Sequence, residues 1–119
     1  MRITNPSHRV YLATGATDLR ASIDGLSLKV SHAFNLDPFD TSYFVFCNRS
    51  KNKLKILVWE HNGFWLYYKR VDKGRFFWPD TSRGTATISL SGRELNWILD
   101  GLSLDRTTGF HPETRRTLS

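Results

Sequence analysis

Residues 53–71 read KLKILVWEHNGFWLYYKRV. Two runs of apolar, aromatic and β-branched residues flank Asn62-Gly63, with charges at alternate positions at one far end (Lys53, Lys55) and an adjacent Lys69-Arg70 pair at the other. Alternation sends successive side chains to opposite faces of a strand. Asn-Gly tolerates the left-handed backbone that a two-residue hairpin turn requires. The chain is therefore predicted to fold back on itself here. With Asn62 and Gly63 as the turn, His61 faces Phe64, Lys55 faces Arg70 and Lys53 faces Asp72. One face then carries Lys53, Lys55, Leu57, Trp59, Phe64, Leu66, Tyr68 and Arg70, and the other Leu54, Ile56, Val58, Trp65, Tyr67, Lys69 and Val71. Like charges placed opposite one another destabilise a strand pair. An anion over Lys55 and Arg70 would relieve the repulsion, and phosphate suits both side chains. The competing reading is that both splay into water.

The flanking segments supply the rest of a small sheet. Val10–Ala13 and Tyr43–Cys47 read as strands, Phe76–Trp78 as a short one, and Thr85–Leu90 as the last. Thr17 is placed as an N-cap, followed by Leu19, Ile23, Leu26, Val30 and Phe34 at helical spacing, with Asn35 closing the helix. Ser91 and Glu94 form a capping-box pattern opening a second helix through Leu95, Ile98, Leu99 and Leu102, with Gly101 as its stop. The strands follow one another through short turns. The expected class is α+β: a mainly antiparallel sheet of about five strands with two helices packed on one face. Residues 1–104 make one domain, and residues 105–119, which lack periodicity, are expected to be a mobile tail.

Charge is concentrated where the hairpin is. The chain carries +6, and residues 49–75 hold Arg49, Lys51, Lys53, Lys55, Lys69, Arg70, Lys73 and Arg75 against only Glu60 and Asp72. The remainder is balanced, so this segment accounts for all the excess. Such a concentration fits a polyanionic partner, or else a solvated basic surface. Residues 63–79 also hold seven of the sixteen aromatics. Trp59, Phe64, Trp65 and Tyr67, at strand spacing, are expected in the core rather than stacked on bases. Phe76, Phe77, Trp78 and Pro79 are the candidate partner-binding surface.

No catalytic pattern emerges. The acids are mostly placed at turns and helix starts, which argues against a two-metal nuclease. The four histidines have no metal-ligand spacing, and Cys47, the one cysteine, is expected to be buried in its strand. No phosphate-binding glycine loop occurs. The expectation is no enzyme, no metal and no cofactor. A lone cysteine, no signal-peptide pattern in Met1–Pro6 and no apolar run of about 20 residues point to a cytoplasmic protein without a membrane span.

Three blocks carry a resemblance: VYLATGATDLRASIDGL (Val10–Leu26), the long run from Tyr43 to Pro79 with its KR-x-x-KGRF-x-WP pattern, and the helix around Leu95–Leu102. Together they resemble the Orf2-like accessory proteins, often called TnpB, of bacterial insertion sequences of the sixty-six class. Leu19 stands where that family usually has Met and Ala21 where it usually has Lys. The resemblance implies an accessory part in transposition beside a separate, larger transposase, and it supplies no chemical step. Two functions follow. The first is non-catalytic binding to DNA backbone through the eight basic residues named above, with weak sequence preference. The alternative is an adaptor that docks the transposase through Phe76–Pro79.

Overall fold

The computed structural model describes residues 8–81 and 84–101. It contains strands β1 (Arg9–Ala13), β2 (Ser42–Cys47), β3 (Lys53–Glu60), β4 (Gly63–Arg70) and β5 (Thr87–Leu90). Helix α1 (Ile23–Leu28) runs on into a wide π-helical turn at Lys29–Ala33, and α2 spans Gly92–Leu99. The five strands lie in the order β4-β3-β2-β1-β5. The α+β class and the mainly antiparallel five-stranded sheet are as expected. One pairing is parallel, β1 with β2, because α1 intervenes and returns the chain to the end where β1 began. The domain boundary at residue 104 and the tail at 105–119 lie outside the described residues.

The helices pack on opposite faces of the sheet, not on one. Alternation along the strands divides the core. Val10, Leu12, Val45, Cys47, Leu54 and Ile56 meet Leu95, Ile98 and Leu99 of α2. Ala13, Phe44, Phe46 and Leu57 meet Leu26 and Val30 of α1. The central strand β2 is apolar on both sides, the pattern of a strand covered twice. Chain order alone does not specify the side of the sheet that a crossover helix covers.

Phe76–Trp78 belongs to no strand. It runs beside α2 and fills that layer with Phe76 and Trp78, 2% and 8% exposed. Trp78 Nε1 donates to the Ala13 carbonyl (2.9 Å), and Gly15 N donates to the Pro79 carbonyl (2.9 Å). Gly15 is left-handed (φ 71°), and a Cβ there would stand 2.9 Å from Thr81 Cγ2, so this close approach needs glycine.

Helix α1 starts later than Thr17. Asp18 accepts from Arg20 N (3.0 Å), and Ala21 N donates to the Asp18 carbonyl (3.3 Å), so the chain makes a turn there instead of a first helical turn. Ser22 is the cap residue. Other signals agree with the structure: Asn35 adopts φ 55° beyond the π turn, Gly101 adopts φ 83° past α2, and Ser91 and Glu94 form the reciprocal capping box, while Leu102 lies outside the described residues.

The hairpin turn lies one residue earlier than Asn62-Gly63. Glu60 pairs with Gly63, His61 is left-handed (φ 62°), and Asn62 N donates to the Glu60 carbonyl (2.6 Å). Pairings shift by two, so both faces keep their residues while their partners change. Trp59 now faces Phe64, ring centroids 5.0 Å apart and edge-on, with Phe39 against both. That aromatic cross-strand contact favours the observed register, and alternation alone could not distinguish the two. Trp65, expected in the core, is 53% exposed and stacks on Tyr67 (6.1 Å), its Nε1 donating to Glu60.

Candidate nucleic-acid interface

The β2–β3 turn is held by Asn48. Its Oδ1 accepts from Asn52 N and Lys53 N (both 3.1 Å), its Nδ2 donates to Asn52 Oδ1 (2.8 Å), and Lys51 takes φ 60°. Arg49, Ser50 and Lys51 project from this braced turn and are exposed. The segment after β4 docks onto it: Val71 N donates to the Asn52 carbonyl (2.9 Å) and Phe76 N to the Lys51 carbonyl (2.7 Å). Lys73 and Arg75 are thereby held beside the same turn. All eight expected basic residues thus gather at one end of the sheet.

They do not share one face. On the α1 side an open depression of about 930 Å³ is lined by the 16–20 turn, Asn48–Ser50, Lys53, Lys55, Leu66 and Tyr68. On the α2 side Lys69, Lys73, Arg75 and Phe77 border a second, of about 400 Å³. Sequence reasoning missed Arg20, which the Thr17 tie to the Cys47 carbonyl (2.7 Å) brings to the first depression. The signal was present in TDLR, but a helix assigned there hid it.

The cations differ in how free they are. Lys55 Nζ donates to the carbonyls of Leu19 (2.7 Å) and Ala21 (3.2 Å), and so braces the turn before α1. Lys69 Nζ donates to the Leu99 carbonyl at the negative end of α2. Arg20 Nη2 lies 2.6 Å from Asp18 Oδ2, and the hydrogen bonds from Arg20 lower the Asp18 carboxyl to about 2. Arg70 lies opposite Lys53, not Lys55, and its Nε meets Asp72 Oδ1 (2.9 Å). Among the described residues no ion pair engages Arg49, Lys51, Lys53, Lys73 or Arg75. Phosphate over a Lys55–Arg70 pair is accordingly corrected: Lys55 is occupied, and the facing cations are Lys53 and Arg70.

The expected partner surface at Phe76–Pro79 is corrected as well. Phe76 and Trp78 are core, Pro79 is half-buried, and Phe77 alone of the three aromatics is exposed (44%). Alternation along an extended segment packed on one side accounts for this. Cys47 is buried as expected, and burial pushes its thiol up to about 11. No group of three or more His, Cys, Asp or Glu among the described residues is placed to hold a metal. No helix among them is long and apolar enough to cross a membrane.

The family model for IS66 Orf2-like proteins matches residues 8–109, which takes in the whole sheet, both helices and every residue of the basic end. The chain belongs to the IS66 Orf2-like family. That family comprises accessory proteins of insertion-sequence transposition. The chain is similar to the uncharacterized protein y4hO of Sinorhizobium fredii (strain NBRC 101917 / NGR234), 39% identical over 79% of this chain and 80% of that protein. It is also similar to the uncharacterized protein y4jC of the same strain, at 29% identity over 82% of each. No solved structure matches the chain.

Proposed function

We propose that this family member acts in transposition as a non-catalytic factor that binds DNA through its backbone phosphates at the basic end of the sheet. The observation that carries the reading is the docking of the 71–76 segment onto the 48–52 turn, which joins Lys73 and Arg75 to Arg49, Lys51 and Lys53. These cations have no acid partner among the described residues, and phosphate would supply one. Contacts of this kind position a protein on DNA without reading sequence.

The test is titration of labelled duplex at several salt concentrations. Affinity should fall steeply with salt, and Arg49→Glu with Arg75→Glu should flatten the log–log slope by about 1–2 units. Arg9→Glu is the control. It lies at the other end of the sheet, roughly 20 Å away along the strands and beyond the ~10 Å screening length. Binding indifferent to salt, or equally weakened by Arg9→Glu, would count against the reading. The adaptor reading retains Phe77 beside Lys73 and Arg75 as its contact. Capture of the separate transposase by the doubly reversed variant, with DNA binding lost, would favour it.

A further inference from the structure

The depression on the α1 side holds more than cations. Tyr68 lies on its wall, 56% exposed, beside Leu66 and across from Arg49, Ser50 and the 16–20 turn. The other exposed or half-buried aromatics on the hairpin have ring partners: Trp65 with Tyr67, and Trp59 with Phe64 and Phe39. Tyr68 makes no ring contact and no side-chain hydrogen bond among the described residues, and it is the one aromatic lining this depression. The strand pairing holds its backbone opposite Lys55, whose own side chain is committed to Leu19 and Ala21.

We infer that this depression receives an unpaired nucleotide of single-stranded DNA, with its base stacked on Tyr68 and the adjoining phosphates on Arg49 and Lys53. The inference rests on the reading of the basic end as a DNA-binding surface and goes beyond it. Inside a duplex the faces of the bases are covered by their neighbours, so an aromatic ring can meet a base face only where the strand is unpaired. A concave site with a free ring on its wall and unpaired cations at its rim suits one extruded or single-stranded nucleotide. A volume of about 930 Å³ is ample for it. Asp18 does not oppose the phosphates, because Arg20 neutralises it within the same turn.

Fluorescence anisotropy with a labelled oligothymidylate and with its duplex, at low and moderate salt, tests this. Tyr68→Ala should weaken single-strand binding about tenfold, a loss in the range of one base stack, and change duplex binding less than twofold. Tyr68→Phe keeps the ring and should retain single-strand affinity. Tyr68 is exposed, so both variants should fold, which circular dichroism would verify. If Tyr68→Ala leaves salt-dependent DNA binding unchanged, weakens both forms alike, or is matched by Tyr68→Phe, stacking is overturned and the backbone reading stands. If the unaltered protein binds neither form at low salt, both are overturned.

Discussion

Lys55 shows how a charge that reads as a ligand contact can be structural. Its ammonium donates to two carbonyls of the turn before α1, so it holds that turn against β3 and closes one side of the basic depression. Lys55→Met keeps the aliphatic stem and removes the donor. It should cost about 1–2 kcal/mol in denaturant unfolding, because hydrogen bonds to a charged donor are lost and the site is only half-buried. Cys47 gives a second expectation at this scale. Its thiol is raised from 9.0 to about 11 by burial, so the folded state disfavours the thiolate. The stability this reflects is fully present below pH 9 and is lost as pH climbs toward 11. Cys47→Ala should therefore lose stability less steeply than the unaltered protein between pH 9 and 11, as equilibrium unfolding at several pH values would show.

Among the elements, the segment after β4 is the least like its sequence appearance. Phe76, Phe77 and Trp78 look alike as a run of aromatics, yet they alternate core, surface, core. Phe76→Ala should destabilise by about 3–5 kcal/mol, as large-to-small changes in a packed core do. Phe77→Ala should stay within about 0.5 kcal/mol, and thermal melting distinguishes the two. Much of the fold was legible in advance: the β2–β3–β4 meander, the Ser91–Glu94 capping box, and the stops at Asn35 and Gly101 each follow from local chemistry. What was not legible depends on distant partners. Thr17–Ala21 has helical spacing, but Cys47 and Lys55 hold its backbone in a turn. The observed hairpin register is favoured by the contact of Trp59 with Phe64, which alternation along the strands does not specify. The basic residues could be named individually from the sequence. Alternation already separated Lys69 from Lys53, Lys55 and Arg70; the placement of the turn cations Arg49, Lys73 and Arg75, and the addition of Arg20, followed only from the sheet and its crossover.

For the molecule as a whole, the Trp78 bond to Ala13 spans 65 positions along the chain. The meander closes through short turns, so its contacts can form early and at little entropic cost. β1 must first cross over through α1 to reach β2, and only later meet β5 and the Phe76–Pro79 segment. The topology therefore predicts an order of assembly, with the meander forming first and the tie between Ala13 and Trp78 as a late fastening. Trp78→Phe, which removes the donor and leaves the Ala13 carbonyl without it, should speed unfolding about tenfold and leave refolding within about twofold in stopped-flow measurements. The protein would then keep its speed of folding and lose its persistence, because that fastening sets how long the finished sheet survives.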